Sequence, residues 1–202
     1  MPATKVGAFA AIVLAAAFAA SFAFAPAEAR QIKSVVTTLD EIPRVHPKYP
    51  IPSEPNQIFY IERSSNSNTV VYVANLDAKG RLDAKEPVKA YWRWYNRGGY
   101  VKPLIMIERM LAYGVQGVKH DGPDGAYSFH LAAAPERTLY VGLDANGHPE
   151  AFGKMGNGEW AKLVYVYLEV DDSGLLPDVT AMDFFGYDKA TGKAVHEHIT
   201  RG

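Results

Sequence analysis

The chain has 202 residues, of which 21 are Lys or Arg and 22 are Asp or Glu, so its formal net charge is −1 at pH 7. This balance argues against a general nucleic-acid binder, which needs a clear basic excess, and against strong attachment to anionic lipid. The chain contains no cysteine, which excludes disulfide bonds and lipid attachment through an N-terminal cysteine.

The N-terminal segment has the three parts of a secretory signal peptide, which we predict over residues 1–29. Lys5 gives a basic start, residues 7–25 carry no charge, and residues 27–29 supply an A-x-A cleavage motif. Cleavage after Ala29 predicts a periplasmic or secreted protein, and the lack of cysteine favours a bacterial envelope. The uncharged run is close to the roughly 20 residues that span a bilayer, so an uncleaved anchor is the alternative. No second apolar run approaches that length, so we expect no membrane span after signal cleavage.

The mature chain is predicted to begin with a proline-rich lead-in over residues 30–55. Its residues 32–39 form an apolar patch that predicts a first strand. Because proline cannot donate to a sheet ladder, the five prolines that follow favour an extended strap along the domain surface. These prolines are Pro43, Pro47, Pro50, Pro52 and Pro55. Residues 56–202 are predicted to form one antiparallel β domain.

The first part of this domain shows a hairpin followed by an aromatic strand. Residues 57–63 and 69–76 are apolar and β-branched, and the SSNSN sequence between them is typical of a turn. Residues 87–96 predict a long strand. Alternation along it places Trp92 and Trp94 on one face, with the residues between and beside them on the other.

Residues 103–113 give the one helix prediction. Proline suits the first helical turn, apolar residues recur at helical spacing, and Gly114 is suited to a C-cap. A strand is the alternative, because residues 104–107 form a short apolar run.

The rest of the chain returns to short strands separated by Asp-, Asn- and Gly-rich turns. Residues 159–170 are apolar on both faces, which predicts a strand deep in the sheet. The other predicted strands cover residues 114–119, 126–133, 137–143, 148–155, 179–187 and 194–199. This spacing predicts a mainly β fold: a single antiparallel β-sandwich or β-barrel domain with one short helix.

Four stretches of the sequence resemble a bacterial exported family known only as a domain of unknown function. They read IFYIERSSNSNTVVYVANL, PVKAYW, IERMLAYG and DFFGYDKATGKAVHEHI. The resemblance covers nearly all of the mature chain and brings no catalytic residues with it.

Two groups of residues are candidates for ligand binding. The aromatic strand offers a stacking platform for a sugar or peptide, in which aromatic rings give contact area and an arginine gives hydrogen-bond donors, although one of its faces must be core. In the helix region, Arg109 and Tyr113 are four residues apart and share a face. Arg63, at the end of the first hairpin strand, could pair with Glu108 across the fold and, in a cleft, recognise a carboxylate or phosphate. His130 is the histidine best placed for acid–base work. The candidates are Arg63, Tyr91, Trp92, Arg93, Trp94, Tyr95, Glu108, Arg109, Tyr113 and His130.

The sequence gives no sufficient metal or cofactor motif. His196 and His198 share one strand face, which is the start of a zinc or copper site, but no further ligand lies nearby in the sequence. Residues 77–83 and 144–147 resemble calcium loops faintly and lack the closing glutamate. We therefore predict no metal and no cofactor.

Non-catalytic binding of a small molecule, glycan or protein in the bacterial envelope is the favoured function. One alternative is an envelope hydrolase that uses Glu108, His130 and Arg63. The other is a structural interaction protein. No nucleophile elbow or phosphate-binding glycine loop is present in the sequence.

Overall fold

The computed structural model describes residues 32–171, 173 and 178–201. The predicted signal peptide and its cleavage site lie outside the described residues. Within the described part of the chain, no helix is long and apolar enough to cross a membrane.

The described chain is built from strands with one short helical segment, which confirms the prediction of a mainly β domain with a short helix. The strands are β1 (Ile32–Leu39), β2 (Gln57–Arg63), β3 (Asn66–Ala74), β4 (Val88–Trp94), β5 (Tyr100–Pro103), β6 (Val115–Lys119), β7 (Tyr127–Leu131), β8 (Ala134–Leu143), β9 (Pro149–Lys154), β10 (Trp160–Asp171), β11 (Asp178–Asp188) and β12 (Ala194–Arg201). The helical segment is α1 (Met106–Glu108), which continues as a π-helical turn over Arg109–Tyr113. Short 3-10 turns cover Tyr95–Arg97 and Pro123–Gly125.

All these strands belong to one curled, half-barrel sheet that branches at β10. One edge of β10 pairs with β11 along its length, and β11 leads to β12 and β1. The other edge is shared, because the start of β10 pairs with β9 and its later part pairs with β2. Two arms extend from that shared edge, one in the order β2-β3-β4-β5 and the other β9-β8-β7-β6. The β2–β10 pair is parallel, which corrects the prediction of a purely antiparallel sheet.

The helix is shorter than predicted and begins later. Pro103 ends strand β5, which pairs with β4 and was not predicted as a strand. The helical turn begins at Met106, after Ile105 in an extended conformation, and the Glu108 carboxylate accepts a 2.8 Å hydrogen bond from the Ile105 N–H. Gly114 has φ −70° and ψ 146°, so it is not a left-handed C-cap. Pairing with β4 therefore overrides the helical signal at Pro103, and the helical turn starts three residues later.

The central strands β2, β10 and β11 have two buried faces, and the neighbouring strand β12 is buried on its core face and partly buried on the other. The core face carries the main apolar cluster, to which β10 contributes Val166 and Leu168. The opposite face, here called the strap face, carries a smaller aromatic cluster of Tyr60, Tyr165, Tyr167 and Phe185. A β-bulge between Leu163 and Tyr165 shifts the alternation of β10. Because both faces of this strand are buried, it is apolar on both, as predicted for residues 159–170.

The strap face is covered by the proline-rich segment, residues 40–55, which we call the strap. The Tyr165 hydroxyl donates a 2.6 Å hydrogen bond to the Pro43 carbonyl, and His46 Nε2 lies 3.0 Å from the Tyr167 hydroxyl. Ile42 packs against the aromatic cluster. The strap is therefore packed against the sheet.

Candidate functional site

The two tryptophans of the predicted stacking platform lie on the core side of β4. Trp92 is 3 % exposed and belongs to the main apolar cluster, and Trp94 packs against that cluster while half-buried. Trp94 also lies under the cations of Arg97 and Lys102, at 4.5 and 4.6 Å from its ring centre. This face of the strand packs against the hydrophobic core, so it offers no open surface on which a ligand could stack.

The opposite face of β4 is bound by the strap. The Arg93 guanidinium forms an ion pair with the Glu54 carboxylate and donates a 2.6 Å hydrogen bond to the Gly99 carbonyl. Burial and the same carboxylate raise the pKa of Tyr91. Tyr95 lies in the 3-10 turn that follows the strand, and burial raises its pKa. These side chains attach the strap to the sheet.

Four of the sequence candidates line one cleft between the helical segment and the sheet. The cleft has a volume of about 280 Å³. Its lining residues are Arg63, Trp92, Ile107, Glu108, Leu111, Ala112, Tyr113, Ala133, Asp178 and Val179. The fold thus brings together Arg63 from the end of β2, Trp92 from β4, and Glu108 and Tyr113 from the helical segment.

Arg63 is the central polar group of this cleft. Its guanidinium lies over the Trp92 ring at 4.9 Å, and its Nη1 donates a long 3.4 Å hydrogen bond to the Tyr113 hydroxyl. Arg63 Nε and Trp92 Nε1 are both buried without an acceptor among the described residues. The ion pair predicted between Arg63 and Glu108 is not formed within the described structure, because the Glu108 carboxylate caps the helical turn.

The position of Tyr113 is fixed by its neighbours. Its ring meets Trp92 edge to face at 4.9 Å, and its carbonyl accepts a 2.7 Å hydrogen bond from the buried Tyr72 hydroxyl. A β-carbon on Gly114 would lie 2.0 Å from the Arg109 carbonyl oxygen, so the tight π-helical turn requires glycine next to Tyr113. The cleft wall is therefore held by packing from both sides.

The last two sequence candidates, Arg109 and His130, also lie away from this cleft. Arg109 Nε donates a 3.1 Å hydrogen bond to the Leu104 carbonyl, and Arg109 lines a separate depression beside Tyr91. His130 lies on β7, with its Nδ1 3.1 Å from the Arg137 carbonyl oxygen. The structure does not combine Arg63, Glu108 and His130 into one acid–base site.

His196 and His198, which the sequence places on one strand face, are joined on the strap face of β11 and β12 by Asp183, which was not predicted. Asp183 Oδ1 lies 2.7 Å from His196 Nε2 and 2.7 Å from His198 Nδ1. Burial raises the pKa of Asp183, but the hydrogen bonds from the two imidazoles outweigh it and hold that pKa below its usual value. These three residues can each offer one ligand atom to a metal ion, with the atoms within 4.8 Å of one another.

The two weak calcium motifs form ordinary turns. The Asp77 carboxylate accepts hydrogen bonds from the backbone N–H groups of Lys79 and Arg81 and from the Arg81 side chain. The Asp144 carboxylate accepts from the N–H groups of Asn146 and His148. In both turns the carboxylate is engaged by the local backbone.

Residues 59–198 match the family model described as a domain of unknown function (DUF4833). This match confirms the resemblance to an uncharacterised family, and the matched segment contains both the Arg63 cleft and the Asp183 group. No curated protein and no solved structure gives a match.

Proposed function

We propose that this chain, which belongs to the family of the domain of unknown function DUF4833, binds a small amphipathic ligand through the Arg63 cleft. The ligand carries a carboxylate or similar acceptor on an apolar body. We further propose that binding takes place in the bacterial envelope, on the strength of the signal-peptide pattern in residues 1–29.

The observation that carries this proposal is the pair of unpartnered donors at one end of the cleft. Most buried N–H groups in proteins have a partner, and leaving one without an acceptor costs about 1–3 kcal/mol. Arg63 Nε and Trp92 Nε1 both lack one among the described residues. The guanidinium also forms no ion pair with a carboxylate in the described part of the chain. An arginine with an unpartnered donor and no ion pair is suited to a planar acceptor such as a carboxylate, which accepts two parallel hydrogen bonds.

The rest of the cleft favours an apolar ligand body. Ile107 and Leu111 line it while about half exposed, at 48 % and 57 %, and Val179 lines it from the start of β11. Binding sites for small molecules are typically apolar with a few placed polar groups. The wall is a π-helical turn, a form that is rare and is frequently found at functional sites. Glu108 and Asp178 also line the cleft, so a ligand with a second anionic group is disfavoured.

Binding is favoured over hydrolysis because the residues required for hydrolysis are dispersed. His130 does not line the cleft, and the Glu108 carboxylate is engaged by the Ile105 N–H. A general acid–base pair needs two groups within reach of one reacting atom.

The test uses pairs of ligands that differ in charge alone. We expect hexanoate and octanoate to raise the melting temperature of the full chain in a thermal-shift experiment, and the corresponding amides to have much less effect. In Arg63→Gln, calorimetry should show a loss of affinity for the carboxylates of roughly 10- to 100-fold, because hydrogen bonds to charged groups contribute about 1.5–3 kcal/mol.

Arg81→Gln is the matched control, because Arg81 is a surface arginine that pairs only locally with Asp77. It should bind as the wild type does. Equal binding of carboxylate and amide, or unchanged binding in Arg63→Gln, would refute a carboxylate site in this cleft. If no carboxylate binds and a partner is captured through the exposed apolar residues of α1, the protein belongs instead to the structural interaction class.

A further inference from the structure

We propose that Asp183, His196 and His198 form a binding site for a divalent transition metal of the Zn²⁺ type on the strap face of the sheet. The site is separate from the Arg63 cleft, so the two proposals stand or fall independently.

The geometry of the β11–β12 pair brings the three ligands together. Asp183 is directly opposite His198 in the antiparallel register, and His196 is two residues away on the same face of β12. One carboxylate oxygen, Asp183 Oδ1, is 2.7 Å from a nitrogen of each ring. Ligands of a tetrahedral ion at about 2.1 Å lie roughly 3.4 Å from one another, so each ring nitrogen needs to move less than about 1 Å away from Asp183 Oδ1 to admit the ion. The three ligand atoms already lie within 4.8 Å of one another.

The donor set selects the class of metal. Two imidazole nitrogens and one carboxylate oxygen suit zinc and neighbouring divalent ions, whereas Ca²⁺ and Mg²⁺ prefer oxygen ligands alone. The described residues include no thiolate, because the chain has no cysteine. Neutral imidazoles can bind the ion by moving the ring proton from the nitrogen that faces Asp183 to the other nitrogen.

The ligands differ in exposure in a way that fits entry of an ion from solvent. The side chain of Asp183 is 12 % exposed, that of His196 is 24 % exposed and that of His198 is 38 % exposed. The carboxylate therefore forms the floor of the site and the two rings form its accessible side. Three protein ligands leave a fourth position for water or another small ligand, as in zinc sites that are not purely structural.

The neighbouring side chains hold the site in place. The Phe185 ring stacks on the His196 ring at 4.5 Å and 9°, which restricts rotation of that imidazole. Tyr167 lies beside Asp183 in the β10–β11 register, and its hydroxyl is 3.0 Å from His46 Nε2 on the strap. Ordered side chains around a metal site are needed because they fix the orientation of the ligands.

A purely structural role is the competing explanation. An ionised Asp183 that accepts hydrogen bonds from two histidines would stabilise the β11–β12 pair without any metal. The two explanations differ in whether the three residues bind an ion from solution.

The experiment titrates ZnCl₂ alone into the full chain by calorimetry, after removal of metal with EDTA and dialysis. We expect one Zn²⁺ per chain in the wild type and a loss of affinity of at least about tenfold in His196→Gln and in His198→Gln. In a parallel titration, Co²⁺ should give the visible absorption of a low-coordinate nitrogen and oxygen site, and this absorption should be lost in both variants.

His148→Gln is the matched control, because the exposed His148 pairs with Asp144 at 3.6 Å and the two join no three-residue ligand group among the described residues. It should bind Zn²⁺ as the wild type does. Because Asp183 is largely buried, the deciding variant is His198→Gln, which changes the most exposed ligand. Far-UV circular dichroism confirms that each variant is folded. Absence of Zn²⁺ binding, or binding that His196→Gln and His198→Gln leave unchanged, overturns the proposal and leaves a hydrogen-bonded triad.

Discussion

The two faces of the central strands and of β12 each bury one glutamate, and the two carboxylates are held very differently. Glu197 on the core face is 0 % exposed, and its Oε1 accepts hydrogen bonds from Arg137 at 2.6 Å and from Ser34 at 2.5 Å. Glu62 on the strap face is 1 % exposed, and neither of its oxygens has a hydrogen-bond partner among the described residues. Its nearest cation is Arg44 Nη2 on the strap, at 3.7 Å.

This difference shows that burial alone does not decide how a carboxylate behaves. A buried charge is tolerated when a close, hydrogen-bonded partner offsets the loss of water. Glu197 has such a partner, in an arginine that also lies 4.4 Å from the Phe184 ring. For Glu62, burial raises the pKa to about 7, and the charge of Arg44 only partly opposes this. The core face therefore holds a fixed ion pair, and the strap face holds a carboxyl group whose charge depends on pH.

The largest effect is expected from breaking the core-face pair. Arg137→Met should lower the free energy of unfolding by about 3–5 kcal/mol, because Glu197 is then left buried without its cation. Urea denaturation followed by circular dichroism measures this loss.

The double variant Arg137→Met, Glu197→Gln separates the unpaired charge from the lost packing. It should be more stable than Arg137→Met alone by at least about 1 kcal/mol, since no buried charge remains. If the double variant is the less stable of the two, the pair is not held by charge and the contrast between the two faces fails.

The local strand signals were visible in the sequence, and the long-range pairings were not. The β2–β3 hairpin follows from two apolar runs around SSNSN, and β10 from a run that is apolar on both faces. Strand β5 was missed because its four residues become a strand only by pairing with β4. The parallel β2–β10 pair joins segments about a hundred residues apart, and no local pattern reports such a pairing.

The candidate sites show the same limit. Arg63, Trp92 and Tyr113 were identified by residue type, but only the fold shows that they line one cleft. Asp183 was missed because it lies on the strand before the two histidines. The hairpin register would have revealed it: Tyr187 pairs with Ala194, so Asp183, four residues before Tyr187, faces His198, four residues after Ala194.

The second effect is a pH dependence that arises on the strap face. The pKa of Glu62 is higher in the folded chain, at about 7, than its ordinary value of 4.5. The folded state therefore holds the Glu62 proton more tightly than the unfolded state does. The contribution of this proton to the free energy of unfolding is fully present below about pH 4.5 and is lost as the pH rises through 7. Because the shift corresponds to about 3 kcal/mol, Glu62→Gln should gain about that much stability relative to wild type between pH 4 and pH 8.

Urea denaturation of both proteins across this range measures the gain. The neighbouring Tyr60 does not interfere, because burial and the Glu62 charge raise its pKa to about 12, and the pKa of Tyr165 is raised further by burial. Glu169→Gln, on the exposed part of β10, is the control and should change stability by no more than about 0.5 kcal/mol at any pH. A difference between Glu62→Gln and wild type that is constant with pH would show that Glu62 is as well compensated as Glu197.

The smallest effect concerns how the strap is attached. Tyr165→Phe removes the hydroxyl that donates to the Pro43 carbonyl and keeps the ring stacked on Phe185 at 4.5 Å. A neutral hydrogen bond contributes about 1 kcal/mol, so global stability should fall by that amount or less.

If the strap opens locally, trypsin should cleave after Arg44 up to about fivefold faster, since 1 kcal/mol corresponds to that factor in an opening equilibrium. Tyr100→Phe, on the exposed β5, should leave the cleavage rate unchanged. Equal cleavage in both variants would mean that the Pro43 contact does not hold the strap, and that its attachment to the aromatic cluster is by packing alone.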